Sequence, residues 1–220
     1  MVKVERSFPA PASLAYEAKK KTGSYSEPDV VCQLKRDFHN KCYICELDHL
    51  QDPEIEHLLP HKNGRYPERK FDWDNLFWAC RHCNGIKNQQ KYDEGILDCC
   101  KQEPEEFLSF HLKDGNVEIL EKKKDTKAEL TAQLILEVFN LKNTGIRVCA
   151  SELRLQELNK EMNKLYSCLE KLKKNSESGV IKGILRAMLR RESKFAAFKR
   201  EYIRENAKYF PQLIQYCNLD

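Results

Sequence analysis

Apolar and polar positions along the chain fall into three regimes. The first residues, with Pro9 and Pro11 and then Lys19-Lys20-Lys21-Thr22-Gly23-Ser24, lack apolar periodicity, which predicts an extended arm that wraps rather than packs. Val30, Val31, Leu34 and Phe38 have helical spacing, so a helix is expected over Asp29 to Phe38. Ile55 to Leu59 is short enough to be a strand, and His61 to Lys70, interrupted by Asn63-Gly64 and Pro67, reads as a loop. A helix over Arg81 to Lys91 puts Asn84, Lys87, Asn88 and Lys91 on one face. Phe107 to His111 and Val117 to Leu120 flank Asp114-Gly115, a strong hairpin signal.

From Thr126 the period becomes helical. Leu130, Leu134, Val138 and Leu141 form one stripe, and Leu155, Leu158, Met162, Leu165, Leu169 and Leu172 alternate spacings of three and four as in a coiled-coil seam. Asn175 to Gly179 interrupts the pattern, and a last helix over Val180 to Lys208 would bury Ile181, Leu185, Met188, Phe195, Phe198 and Tyr202. These stripes form the core of a helical bundle, or part of the seam docks a partner helix. Lys182, Arg186, Arg190 and Lys194 recur every fourth residue as a basic stripe that faces water or meets nucleic acid or an acidic partner. The expected organisation is an arm at 1–28, a small α+β domain at 29–124 and a helical domain at 125–220, with the boundary at the Lys122-Lys123-Lys124-Asp125 run.

Charge refines this only modestly. The net charge is +4. Residues 1–124 carry 20 Lys/Arg against 22 Asp/Glu and residues 125–220 carry 18 against 12, so the basic surplus lies in the helical half. Such an excess permits contact with nucleic acid without demonstrating it. No long apolar run and no charged-then-apolar start is present, so neither a membrane span nor a secretion signal is expected, and a cytoplasmic location is.

The most informative chemistry lies in two C-x-x-C pairs, Cys42/Cys45 and Cys80/Cys83, separated by 34 residues. A two-residue spacer lets both sulfurs of a pair face one ion, and paired C-x-x-C spacing favours a four-sulfur zinc site. Redox dithiols are the alternative. The other six cysteines, Cys32, Cys99, Cys100, Cys149, Cys168 and Cys217, have no framework spacing. The interval between the pairs contains Glu56-His57, and histidine is the side chain whose pKa best suits it to deprotonate water near neutral pH. Glu56 offers a carboxylate for a hard cation such as magnesium, although strand alternation would turn it away from His57 unless the strand kinks. Asn84 offers an amide oxygen to the same cation, or a helix cap.

The strings C-Y-I-C, I-E-H-L-L-P, D-N-L-F-W-A-C and C-N-G-I-K, within residues 42–91, resemble HNH endonucleases of the ββα-metal type with a four-cysteine zinc. That resemblance implies two strands and a helix around a catalytic Mg2+ or Mn2+ held by Glu56 and Asn84, a structural Zn2+ on the four cysteines, His57 as general base, and Asn75 bonding backbone across the loop to position that base. Asn84 stands where many members have histidine. Lys87, Arg81 and Arg65, with Lys62, Arg69 and Lys70, would grip phosphates without reading sequence. His61 could assist the site; His82 is expected to be exposed and inert.

The flanks, Lys3-Val4-Glu5-Arg6, Pro9 to Leu14, Asp98 and Pro104-Glu105-Glu106-Phe107, are similar to the HNH subunit of Septu-type and retron-associated anti-phage defence systems. This implies an ABC-type ATPase partner that gates the nuclease and docks on the helical half. The substrate is DNA or RNA, since phosphodiester hydrolysis needs the same groups for both. The competing function is a non-catalytic zinc module that binds nucleic acid or protein.

Overall fold

A computed structural model describes residues 1–140 and 146–218. The architecture is α+β and mostly helical, with two separate two-stranded antiparallel sheets. The elements are α1 (Ala12–Glu17), α2 (Pro28–Asp37), β1 (Pro53–His57), β2 (Leu76–Cys80), α3 (Arg81–Lys87), α4 (Pro104–Phe107), β3 (Leu108–Lys113), β4 (Asn116–Glu121), α5 (Thr126–Asn140), α6 (Ile146–Lys174), α7 (Gly179–Leu189), α8 (Ala196–Glu205) and α9 (Ile214–Asn218). Among the described residues no helix is long and apolar enough to cross a membrane.

The first sheet pairs β1 with β2, with Ile55 opposite Trp78, Glu56 opposite Phe77 and His57 opposite Leu76. β2 is buried along its whole length, which suits its run Leu-Phe-Trp-Ala-Cys: a strand covered on both faces needs no polar alternation. In the second sheet β3 and β4 join through Asp114 (φ 50°) and Gly115 (φ 75°), the left-handed pair that a tight two-residue hairpin demands. α5 packs against β4 and α8 against β3, while α3 also touches α5, so packing runs continuously across residue 124.

The α6 stripe is filled by the chain itself: Leu158, Met162, Leu165, Leu169 and Leu172 are buried and α6 packs on α5, α7 and α8. Leu141, placed by the periodicity on the α5 stripe, lies outside the described residues. α6 ends at Lys174, and Ser178 caps α7 by accepting from the Ile181 N–H.

The long last helix expected over Val180 to Lys208 is two helices, and a buried charge is bonded to the backbone between them. Lys41 Nζ donates to the carbonyls of Arg191 (2.5 Å) and Ser193 (3.0 Å), and Phe195, at φ 50°, donates its N–H to the Glu46 carbonyl. The left-handed backbone at Phe195 departs from the α-helical path, and these bonds hold it there. The basic stripe is broken accordingly: Arg190 is the α7 C-cap, and Lys194 pairs with Glu157 at 2.7 Å and Asp48 at 3.5 Å.

The N-terminal arm also differs from its reading. Met1, Val2 and Val4 are buried, and Val4 N–H donates to the Cys99 carbonyl. Arg6 lies over the rings of Phe38, Trp73 and Phe77 and donates to the carbonyls of Trp73 (2.7 Å) and Leu76 (2.8 Å). A cation stacked on aromatic faces packs as an apolar group does, a role that no hydrophobic period reveals. Further along the arm, a Cβ on Gly23 would stand 1.9 Å from the Glu17 carbonyl oxygen. Gly23→Ala is expected to destabilise the chain by about 1–3 kcal/mol, read as a lower midpoint in urea.

Candidate metal centre and adjoining histidine pocket

The first C-x-x-C forms a tight turn after α2, in which Glu46 N–H donates to the Cys42 carbonyl and Tyr43 N–H donates to Trp78 on β2. The second begins at the end of β2 and continues into α3. Pairing of the first turn with β2 therefore brings the two knuckles together. All four sulfurs are buried and lie within 4.8 Å of one another, and Cys45 Sγ is 3.9 Å from Cys80 Sγ. A tetrahedral centre with bonds of ~2.3 Å has sulfur–sulfur edges of about 3.8 Å, whereas a disulfide needs about 2.05 Å. The donor set fits zinc. Burial and sulfur–sulfur hydrogen bonds push the Cys42 and Cys83 thiols far up. Hydrogen bonds from the other three cysteines, with Arg154 nearby, push Cys80 down.

β1 leaves this centre and sends alternate side chains to opposite faces. Glu56, 4% exposed, accepts from the Tyr43 hydroxyl and from Lys87 Nζ at 2.5 Å. His57 lies in the wall of a polar cavity of about 390 Å3, whose lining includes Tyr25, Glu56, His61, Asn84, Lys87 and Asn88. Its ring meets Tyr25 edge-on at 4.7 Å and His61 at 4.8 Å. His57 Nε2 lies 3.1 Å from the Lys70 carbonyl oxygen. A carbonyl only accepts, so this nitrogen carries the proton and Nδ1 keeps its lone pair. Burial lowers the His57 pKa, with His61 and Lys87 adding to the effect against the Lys70 carbonyl and Glu56, so the ring is neutral at pH 7. His61 is lowered too, by burial and by Lys70.

Asn75 ties the parts of the pocket together. Its Oδ1 accepts from Leu59 N–H (2.8 Å), and its Nδ2 donates to the carbonyls of Leu59 and Arg69, both at 2.9 Å. Leu59 is two residues beyond His57, and Arg69 precedes the residue whose carbonyl holds the imidazole. Asn75→Ala would leave three backbone groups without that partner and is expected to cost about 3 kcal/mol in denaturant-measured stability.

Glu56 and Asn84, the magnesium pair expected from the sequence, line one cavity. Both Glu56 oxygens are engaged, one of them by an ammonium, and Asn84 is turned so that its Nδ2 donates to Glu54 Oε2 at 2.7 Å. Glu56 and Asn84 do line the same cavity as His57, but Lys87 Nζ already sits on the carboxylate where a hard cation would bind, so these side chains do not fit a second, hard cation as they stand. Lys87, expected to grip phosphate, is 5% exposed and donates to Glu56 and to the carbonyls of His57 (3.1 Å) and Leu58 (2.9 Å). A lysine at the last turn of α3 reaches the end of β1, and a buried ammonium needs such partners.

Arg81 is exposed, 3.9 Å from Glu54, and Arg65 is exposed beside the Tyr66 ring. Lys62 pairs with Asp93, and Lys70 Nζ donates to the Gly23 carbonyl at 2.8 Å. His82 is partly buried rather than exposed, with Nε2 3.1 Å from the Val138 carbonyl and 3.3 Å from Ser151 Oγ. Tyr43, Tyr25 and Arg154 were not identified from the sequence. Tyr43 had a local signal, an aromatic inside C-Y-I-C, whereas Tyr25 and Arg154 reach the site only through long-range packing.

No family model matches the chain. It is 30% identical over 115 residues to a curated protein of Bacillus thuringiensis described as "Septu protein PtuB". The match covers 50% of this chain and 42% of that protein, so the chain spans less than half the length of the relative it matches.

Proposed function

We propose that this chain is a nuclease of the HNH type, acting within an anti-phage defence complex, with His57 as the base that takes a proton from the attacking water. The observation that carries this reading is the imidazole of His57, its Nε2 held by the Lys70 carbonyl, at the wall of a polar cavity next to a four-cysteine cluster. Water attack on a phosphodiester needs an unprotonated nitrogen within reach, and Nδ1 supplies one. Asn75 holds the base in place. Asn84 and Asn88 add hydrogen-bond donors around the same cavity, where a phosphate accumulating charge would lie. β1, β2 and α3 follow the order of a ββα-metal unit, and the similarity to a Septu protein supports the defence role. In this reading residues 29–124 carry the nuclease, residues 125–220 dock an ABC-type ATPase that gates it, and Arg81 and Arg65 meet the nucleic-acid backbone.

A second reading, a zinc module that binds nucleic acid or protein without cleaving it, is favoured by the Lys87–Glu56 pair, which neutralises the carboxylate that a hard cation would use. Incubating the zinc-loaded chain, together with its ATPase partner, with duplex DNA, single-stranded DNA and transfer RNA separates the two. The nuclease reading predicts new 5′-phosphate and 3′-hydroxyl ends on at least one substrate. Intact substrates in every incubation would leave the binding module.

A further inference from the structure

Arg154 on α6 is 8% exposed and directs Nη2 to within 2.9 Å of Cys80 Sγ, while Nη1 donates to the Ala150 carbonyl of its own helix at 2.7 Å. Among the described residues no carboxylate pairs with it. A buried guanidinium without an anion is strongly disfavoured, and four neutral thiols would provide none. Four thiolates on one divalent ion carry a net charge of −2, which a neighbouring arginine halves. The same stretch of α6 is fastened to the second knuckle at another point, since Ser151 Oγ lies 3.3 Å from His82 Nε2, and α5 holds that imidazole through the Val138 carbonyl.

We propose that Arg154 is a positioning residue of the metal centre: its guanidinium neutralises part of the thiolate charge through Cys80 and locks the helical half onto the zinc knuckles. The proposal rests on the cysteine cluster holding zinc and is independent of whether the chain cleaves nucleic acid. Removing such an outer partner weakens metal binding by about 10- to 100-fold in comparable sites.

The test uses the full chain loaded with zinc or cobalt, comparing wild type with Arg154→Met, Arg154→Lys and Leu158→Ala. Leu158 is buried on the same helix, so its truncation loosens α6 without altering charge at the sulfurs. Zinc release to a chromogenic chelator is expected to be about tenfold faster or more in Arg154→Met and partly restored in Arg154→Lys. In the cobalt form, loss of the N–H···S bond makes the Cys80 thiolate a richer donor, so the sulfur-to-cobalt charge-transfer band moves to lower energy. Leu158→Ala should lower the melting temperature and leave that band in place. Wild-type release and an unmoved band in Arg154→Met, or both changes reproduced by Leu158→Ala, would overturn the proposal. Should Arg154→Met not fold, the neutral Arg154→Gln decides: a band at the wild-type energy with wild-type release would overturn it. A wild-type chain that takes up neither ion would overturn the zinc reading along with it.

Discussion

Replacing His57 with alanine is expected to slow phosphodiester cleavage by about 10²- to 10⁴-fold, the range that a positioned general base contributes. Zinc content and fold should be retained, because among the described residues the imidazole makes a single hydrogen bond, to the Lys70 carbonyl, and packs edge-on against Tyr25 and His61 at the cavity wall. The same geometry fixes the sign of the pH dependence. The working form is the neutral ring, and burial lowers its pKa, so protonation sets in only on the acid side of an ordinary histidine. Activity therefore rises with pH through an ionisation below 6.5 and is level above it. His57→Gln, which retains a donor for the Lys70 carbonyl but no basic nitrogen, should be as inactive as alanine. Activity of His57→Gln near that of wild type would show that the ring only props the loop.

Loss of the metal should have an even larger effect on structure. Structural zinc on cysteine ligands contributes about 10–16 kcal/mol at neutral pH, as much as or more than the total stability of a typical domain. Here the four sulfurs join the turn after α2 to the junction of β2 and α3, and β2 is what positions β1 and its histidine. Cys83→Ser, or chelation of the wild type, is expected to unfold this unit. The chain's two tryptophans, Trp73 and Trp78, are both buried within it and serve as reporters. Their emission should shift to the red together with the loss of one zinc per chain measured by elemental analysis. Emission unchanged in a metal-free chain would mean that hydrophobic packing holds the unit alone.

What the sequence made legible was local. The two C-x-x-C pairs, the Asp114-Gly115 turn, the helix before the first knuckle and the leucine stripe of α6 each follow from spacing or from a turn residue. Four features were not legible, and each depends on partners distant in sequence. The break between α7 and α8 is held by Lys41, some 150 residues away, which donates to the carbonyls of Arg191 and Ser193. The arm packs because Arg6 finds three aromatic rings contributed by the residue that ends α2, by β2 and by the turn before it. Glu56 is buried at the edge of the His57 cavity; what spacing could not show is that Lys87 and Tyr43 meet it there. Arg154 lies on a seam helix, where its charge reads as solvent-facing until α6 is seen against the sulfurs.

The central claim, that His57 in this pocket is the base of a phosphodiester cleavage, is tested most directly by the pH–rate profile of the zinc-loaded chain with its partner. The account predicts an acid limb centred below pH 6.5 that is absent from the residual activity of His57→Ala. A flat profile between pH 5 and 8, or a limb that persists unchanged in the variant, would contradict it.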